Sequence, residues 1–251
     1  MHAIVGGLDI SYLSEGSGPP ILLLHGWGSN QQTFDQLSRD LASKYTVLRL
    51  DLPGFGGSQP PKESWTLDAY VDFVESFLDK IKTPKLYALI GHSLGGRIAI
   101  RAQATHRLSS DKLVLVASHG IAIPRSPRLV AYRIVAKIGK AFLSIFPARV
   151  GEKMRHRLYA RAGSTDYMNV TPAMKQTFQN IVSQDLRSDA ARIDTDSLLI
   201  YGENDDTTPV AFGRTFAELM PKARLEVVED AEHYVHTDQP AKVAKLVKEF
   251  L

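Results

Sequence analysis

The stretch Leu89-Ile90-Gly91-His92-Ser93-Leu94-Gly95-Gly96 decides how this chain is read. Residues 85–90 have the apolar content of a short buried strand, and residues 97–103 interleave small and apolar side chains as a packed helix does. Ser93 is therefore expected on the sharp turn between them. A non-glycine residue on such a turn is strained, and a glycine two positions to either side lets strand and helix approach without side-chain clashes. The hydroxyl is lifted clear of the sheet, at the positive end of the following helix.

Further motifs stand around this one in a fixed order. His25-Gly26-Trp27-Gly28 follows the first strongly apolar run, 20–24, and Asp51-Leu52-Pro53-Gly54-Phe55-Gly56-Gly57-Ser58 follows the next. Gly202-Glu203-Asn204-Asp205 comes after a long insertion, and Glu232-His233 precedes the last helical pattern. Over nearly its whole length the chain resembles the α/β-hydrolase superfamily, in its serine-esterase form with a helical cap. The triad of that superfamily runs nucleophile, acid, histidine along the sequence.

The resemblance implies roles residue by residue. Ser93 would be the nucleophile, His233 its base, and Asp205 the group that orients the imidazole. The backbone N–H groups of Trp27 and Leu94 would form the oxyanion hole, with Trp27 and His92 beside the substrate, and the resemblance makes His25 and His92 structural or loop-orienting residues and not extra bases. Asp205 is preferred to the adjacent Asp206 by the pattern Gly-x-x-Asp followed by Pro209. His233 is preferred to His236 by the pattern His-Tyr-x-x-x-Asp-x-Pro over 233–240, which leaves His236 lining a surface or capping the loop.

Periodicity supports the same architecture. Residues 2–14 form two alternating runs split by Gly6-Gly7, as a hairpin does. Apolar strands are expected at 20–24, 46–50, 85–90, 112–117, 197–201 and 223–228, alternating with helices at 33–43, 66–81, 94–105, 210–220 and 241–251. Near-continuous apolar strands between helices indicate an α/β fold with a mostly parallel, doubly wound sheet covered on both faces. The alternation breaks from 120 to 193, where helical patterns dominate and 128–146 is the longest. The expected organisation is a hydrolase core, 1–119 and 194–251, with a helical cap inserted at 120–193.

Composition bounds the chemistry. The chain has 251 residues and no cysteine, which excludes disulfides, thiolate metal sites and a cysteine nucleophile. No HExxH motif or similar cluster of histidines suggests a metal, and Gly54-Phe55-Gly56-Gly57 lacks the Lys-Ser/Thr of a phosphate-binding loop. No cofactor and no nucleic-acid partner are expected. The formal charge of +3 is unevenly spread: between Gly120 and Thr165 ten Lys or Arg face one acid, Glu152. Arg133, Lys137 and Lys140 fall on one face of the expected 128–146 helix, with Ile134, Ile138, Phe142 and Ile145 on another. A solvated outer face is the plain reading. Contact with anionic lipid or an anionic substrate is the sharper one.

The opening residues carry neither a basic nor a long apolar leader segment, so a soluble, cytoplasmic protein is expected. The resemblance implies a hydrolase of small carboxylic esters acting through an acyl-enzyme. Hydrolysis of carbon–carbon bonds in ring-cleavage products, of thioesters or of lipid esters stays open, as does a non-catalytic receptor built on the same fold. Ser93 argues against the dehalogenase and epoxide hydrolase branches, which place Asp there. The oligomeric state is left open.

Overall fold

The computed structural model describes residues 1–122 and 171–251. Its strands are β1 (His2–Val5), β2 (Leu8–Glu15), β3 (Pro20–Leu24), β4 (Thr46–Leu50), β5 (Leu86–His92), β6 (Ser110–Val116), β7 (Asp196–Gly202) and β8 (Ala223–Val228). They form one sheet in the order β1-β2-β4-β3-β5-β6-β7-β8. Only the β1–β2 and β2–β4 pairings are antiparallel; from β4 to β8 every neighbour is parallel. The expected N-terminal hairpin and mostly parallel sheet are both present.

Between the strands run α1 (Asp35–Leu41), α2 (Leu67–Lys80), α3 (Leu94–Ala104), α4 (Pro172–Val182), α5 (Arg187–Ala190), α6 (Val210–Leu219), α7 (Val235–Asp238) and α8 (Pro240–Phe250). Local chemistry sets their ends. Thr66 caps α2 by accepting the Ala69 N–H at 3.2 Å, and Pro240 opens α8, where its missing N–H costs nothing. Along α2 the buried Leu67, Tyr70, Val71, Val74, Phe77 and Leu78 recur at helical spacing and press one stripe into the core. The helix expected at 33–43 instead begins as a 3₁₀ turn at Gln31–Phe34. Its first residue is held by the Asp51 carboxylate, which accepts the Gln31 N–H at 2.7 Å.

Both faces of the sheet are buried, as the unbroken apolar strands require. Successive side chains on a strand point to opposite faces. Ile21, Leu23, Ala88, Ile90, Val114, Val116, Leu198 and Ile200 join one core cluster with residues of α1 and α8, while Leu22, Leu24, Leu89, Leu113, Leu115 and Leu199 are buried on the other side. With the sheet covered, polar groups converge where the chain leaves the strands at their carboxyl ends, the usual place for a ligand in an open α/β sheet.

Residues 1–121 and 172–251 form one compact unit and 122–171 a second. Within the first, α4 is tied down by polar bonds: Thr177 Oγ1 accepts the Trp65 N–H at 2.8 Å, and Asn180 Nδ2 donates to the Trp65 carbonyl at 3.1 Å. The stretch expected to hold the long 128–146 helix and its basic face lies outside the described residues. Among the described residues no helix is long and apolar enough to cross a membrane.

Candidate active site

Ser93 sits between β5 and α3 with φ 50° and ψ −103°, a strained conformation for a residue with a Cβ. Two glycines make the turn sterically feasible. A Cβ on Gly91 would lie 2.5 Å from the Gly95 carbonyl group, and one on Gly95 would collide with the backbone carbonyl of Leu24 at the end of β3. The expected turn is thus a packing requirement on both sides of the serine.

Ser93 Oγ lies 3.1 Å from His233 Nε2, and His233 Nδ1 lies 2.9 Å from Asp205 Oδ2. These three side chains, predicted from three separate motifs, are brought into one hydrogen-bonded relay. Since a carboxylate accepts, the imidazole proton is on Nδ1, and Nε2 is the acceptor facing the serine. Asp206, the neighbour not chosen, is exposed.

The Asp205 carboxylate is nearly inaccessible and fully satisfied. Its Oδ1 accepts the Thr207 and Thr208 N–H groups at 2.7 and 2.8 Å, and its Oδ2 accepts Thr208 Oγ1 at 2.5 Å as well as His233. Burial alone would raise its pKa, but the bonds from His233 and Thr208 together outweigh that and hold the carboxyl below its ordinary value. It is therefore ionised at neutral pH. Thr208 was not singled out in the sequence; the signal available was a hydroxyl three residues after the acid, in the position of an Asx-type turn.

The histidines around the relay are buried and neutral. His25 donates from Nδ1 to the Gly26 carbonyl at 2.7 Å and accepts the Leu52 N–H on Nε2 at 2.9 Å, which ties the loop after β3 to the loop after β4. Burial pulls its pKa down to about 4. His92 is wholly enclosed, and its Nε2 donates to the His233 backbone carbonyl at 3.0 Å. Burial, with the neighbouring His236 and His233, lowers its pKa far below the ordinary value. The reading of His92 as a substrate contact is corrected by this position: a fully buried ring cannot touch substrate, and this one supports the loop that carries His233.

His236 is corrected too, from a surface position to the core. It is 3% exposed and stacks on Phe34 with ring centroids 4.6 Å apart, and burial drives its pKa down to about 3. Asp238, in the same loop, accepts the Glu232 N–H at 2.9 Å and so braces the residue before His233.

Across from the relay, Trp27 stands half-buried between two aromatic rings, Phe55 at 4.8 Å and Phe178 of α4 at 4.9 Å between centroids. Among the described residues, the Trp27 and Leu94 N–H groups have no acceptor. The neighbouring N–H of Gly95, by contrast, is taken by the His25 carbonyl at 3.1 Å. Two unpaired donors therefore accompany the serine, one from the turn after β3 and one from the first residue of α3. Among the described residues no group of three or more His, Asp or Glu could hold a metal ion.

A serine, an imidazole and a buried carboxylate in relay, beside two unpaired backbone donors, are the parts of a nucleophilic hydrolase site. Residues 21–246 match the alpha/beta hydrolase family. The chain belongs to that family. Among its relatives is the pimeloyl-(acyl-carrier protein) methyl ester esterase of Nitrosomonas europaea, 28% identical over 87% of this chain and 90% of that protein. Another is the 2-hydroxymuconate semialdehyde hydrolase of a Pseudomonas species, 25% identical over 99% of this chain and 92% of that protein. A solved structure of an enol-lactonase from Burkholderia xenovorans shares the fold, with a TM-score of 0.77 and 24% identity over 100% of this chain and 99% of that one. The relatives named are thus an ester-cleaving enzyme and a semialdehyde hydrolase, and the enol-lactonase shares the fold.

Proposed function

We propose that this hydrolase cleaves a small carboxylic ester through a covalent acyl-enzyme on Ser93. The relay from Ser93 Oγ through His233 to Asp205, at 3.1 and 2.9 Å, carries the proposal. A serine hydroxyl is a weak nucleophile until a base within hydrogen-bond reach removes its proton, and His233 Nε2 is that base. As Oγ attacks the ester carbonyl, its proton passes to Nε2. The imidazolium is stabilised by Asp205, and the carbonyl oxygen becomes an anion facing the Trp27 and Leu94 N–H groups, a contribution of several kcal/mol in known sites. His233 then gives the proton to the departing alkoxide. A water molecule, deprotonated by the same nitrogen, attacks the acyl-enzyme and releases the acid, returning the proton to Ser93. The Trp27 indole, held between Phe55 and Phe178, serves as an apolar wall for the substrate.

The similarity to a methyl ester esterase favours the ester reading. Carbon–carbon hydrolysis would use the same three side chains, and the similarity to the semialdehyde hydrolase supports it as the second reading. A fluorophosphonate probe, a panel of p-nitrophenyl esters of increasing acyl length and a ring-fission dienoate separate these cases. The expected result is labelling that disappears in Ser93→Ala, with ester turnover exceeding that of the dienoate. Labelling that persists at the wild-type rate in Ser93→Ala would refute the assignment. The other part of the expectation concerns placement: the protein acts in the cytoplasm on a small molecule, without a cofactor.

A further inference from the structure

Close to the relay lies a second polar pair that the proposed chemistry does not use. Arg97, in the first turn of α3, is 2% exposed, and its guanidinium has no carboxylate within ion-pair distance among the described residues. It is held by carbonyls at the end of α4 instead, Nη2 donating to Ile181 at 2.5 Å and to Gln184 at 2.6 Å. Helix carboxyl ends carry partial negative charge, and the Asp185 carboxylate adds a longer-range charge that favours the cation. Burial lowers its pKa to about 10, so it is still charged at neutral pH.

The remaining arm of that guanidinium points at a histidine. Arg97 Nη1 lies 2.7 Å from His119 Nδ1, and since arginine can only donate, Nδ1 must be the bare, accepting nitrogen. The ring proton is thereby confined to Nε2. Burial and the adjacent cation together pull the His119 pKa down to about 4, so the ring is neutral at physiological pH. Among the described residues Nε2 has no partner, and the residue is only partly buried. Among the groups around it are Arg97, His233 and Asp205, which places the ring within electrostatic reach of the relay. The four donors already on Asp205 cover that nearby negative charge.

The segment carrying this ring is clamped. Tyr201 Oη donates to the Ser118 carbonyl at 2.7 Å and the Leu186 N–H to the Gly120 carbonyl at 2.8 Å, while Thr208 Oγ1 packs 3.1 Å from the Ala117 carbonyl oxygen. The His119 ring also meets Phe212 of α6 edge-on, with centroids 5.4 Å apart. A donor of fixed tautomer, backed by a buried cation whose Nε–H has no partner among the described residues and set on a rigid segment, is suited to recognise an acceptor.

We infer that His119, oriented and polarised by Arg97, donates its Nε2–H to an anionic oxygen of the substrate, so that the preferred esters carry a carboxylate remote from the scissile carbonyl. This inference rests on the ester reading above for its catalytic consequence. The binding itself requires no turnover.

The test is a titration of the full-length protein with glutarate, and with glutaramide as the neutral comparison, in wild type, His119→Ala and His119→Gln. Loss of a hydrogen bond to a charged group corresponds to about 10- to 100-fold in affinity. Glutarate should therefore bind that much more weakly to His119→Ala and recover in His119→Gln, whose amide restores a donor. Glutaramide should change much less. Nitrogen-15 spectra of the wild-type imidazoles should show His119 as the neutral Nε2–H tautomer, its signal shifting on glutarate addition. In the catalytic arm, the kcat/KM ratio of mono-p-nitrophenyl glutarate to p-nitrophenyl valerate should fall about 10- to 100-fold in His119→Ala. Glutarate affinity equal in wild type and His119→Ala, or a His119 proton on Nδ1, would overturn the inference. If fluorophosphonate fails to label Ser93 and neither ester is cleaved, the ester reading fails by itself, while the glutarate titration and the spectra still decide the role of His119.

Discussion

Replacing Asp205 by Asn tests the relay most sharply, because the surroundings dictate how the amide must sit. Asp205 Oδ1 accepts two backbone N–H groups, from Thr207 and Thr208, at 2.7 and 2.8 Å. Backbone donors cannot be reversed, so the amide oxygen of Asn must occupy that site and its NH₂ must occupy the site of Oδ2. There it faces His233 Nδ1, now 2.9 Å from a donor instead of an acceptor. The imidazole can relieve the conflict only by moving its proton to Nε2. That nitrogen then offers Ser93 a proton when it should accept one. The change is nearly isosteric, so the fold is retained, yet kcat should fall by about 10⁴-fold, the cost of the wrong tautomer in a triad of this kind. Steady-state turnover of p-nitrophenyl butyrate and the fluorophosphonate labelling rate measure it, with Asp206→Asn as the control at an exposed neighbour. Turnover in Asp205→Asn within about tenfold of wild type, or a larger loss in Asp206→Asn, would refute the reasoning.

Three further outcomes follow from the same geometry. Thr208→Val removes the hydroxyl that donates to Asp205 at 2.5 Å, and kcat should drop about tenfold, the worth of one hydrogen bond to a charged group, with no change in the ester preference. Ser93→Gly relieves the φ of 50° and should raise the free energy of unfolding in urea by about 1 kcal/mol while abolishing turnover. His236 has a folded pKa of about 3 against an ordinary 6.5, so as pH falls the unfolded chain takes up the proton first. Its contribution to stability is complete above pH 6.5 and is lost progressively as pH falls toward 3. Between pH 7.5 and pH 5 that amounts to about 2 kcal/mol, and urea unfolding of His236→Phe should show a pH dependence weaker by that much.

What could be read in advance was whatever local sequence spacing dictates. The glycines around Ser93 had to be there because strand and helix touch backbone to backbone, and the inner strands β3 to β7 appear within a few residues of their expected positions because both of their faces are largely buried. Asp205 over Asp206 came from the family pattern Gly-x-x-Asp before Pro209, and in the structure Asp205 is buried while Asp206 is exposed. A loop-orienting His92 agrees with the structure, but the full enclosure of His92 and His236 was not legible, because a histidine's exposure is decided by residues far along the chain. Phe34 and Thr33 enclose His236 from the first crossover, about two hundred positions away, and nothing near either histidine in sequence announces it.

The pair Arg97 and His119 was invisible for a further reason. An arginine four residues after the nucleophile reads as an exposed helix position, and only the approach of α4 turns it inward, where Ile181 and Gln184 offer carbonyls in place of water. His119 meets both this buried cation, at 2.7 Å from Arg97 Nη1, and the electrostatic influence of His233 and Asp205. The consequence separates two kinds of residue in the one site. On the proposed reading, Ser93, His233 and Asp205 answer to the demands of acyl transfer, which are the same for any ester and so leave a motif. His119 answers to a particular substrate, so its signature lies in what packs behind it, and substituting it should alter the choice of ester more than the chemistry performed on it.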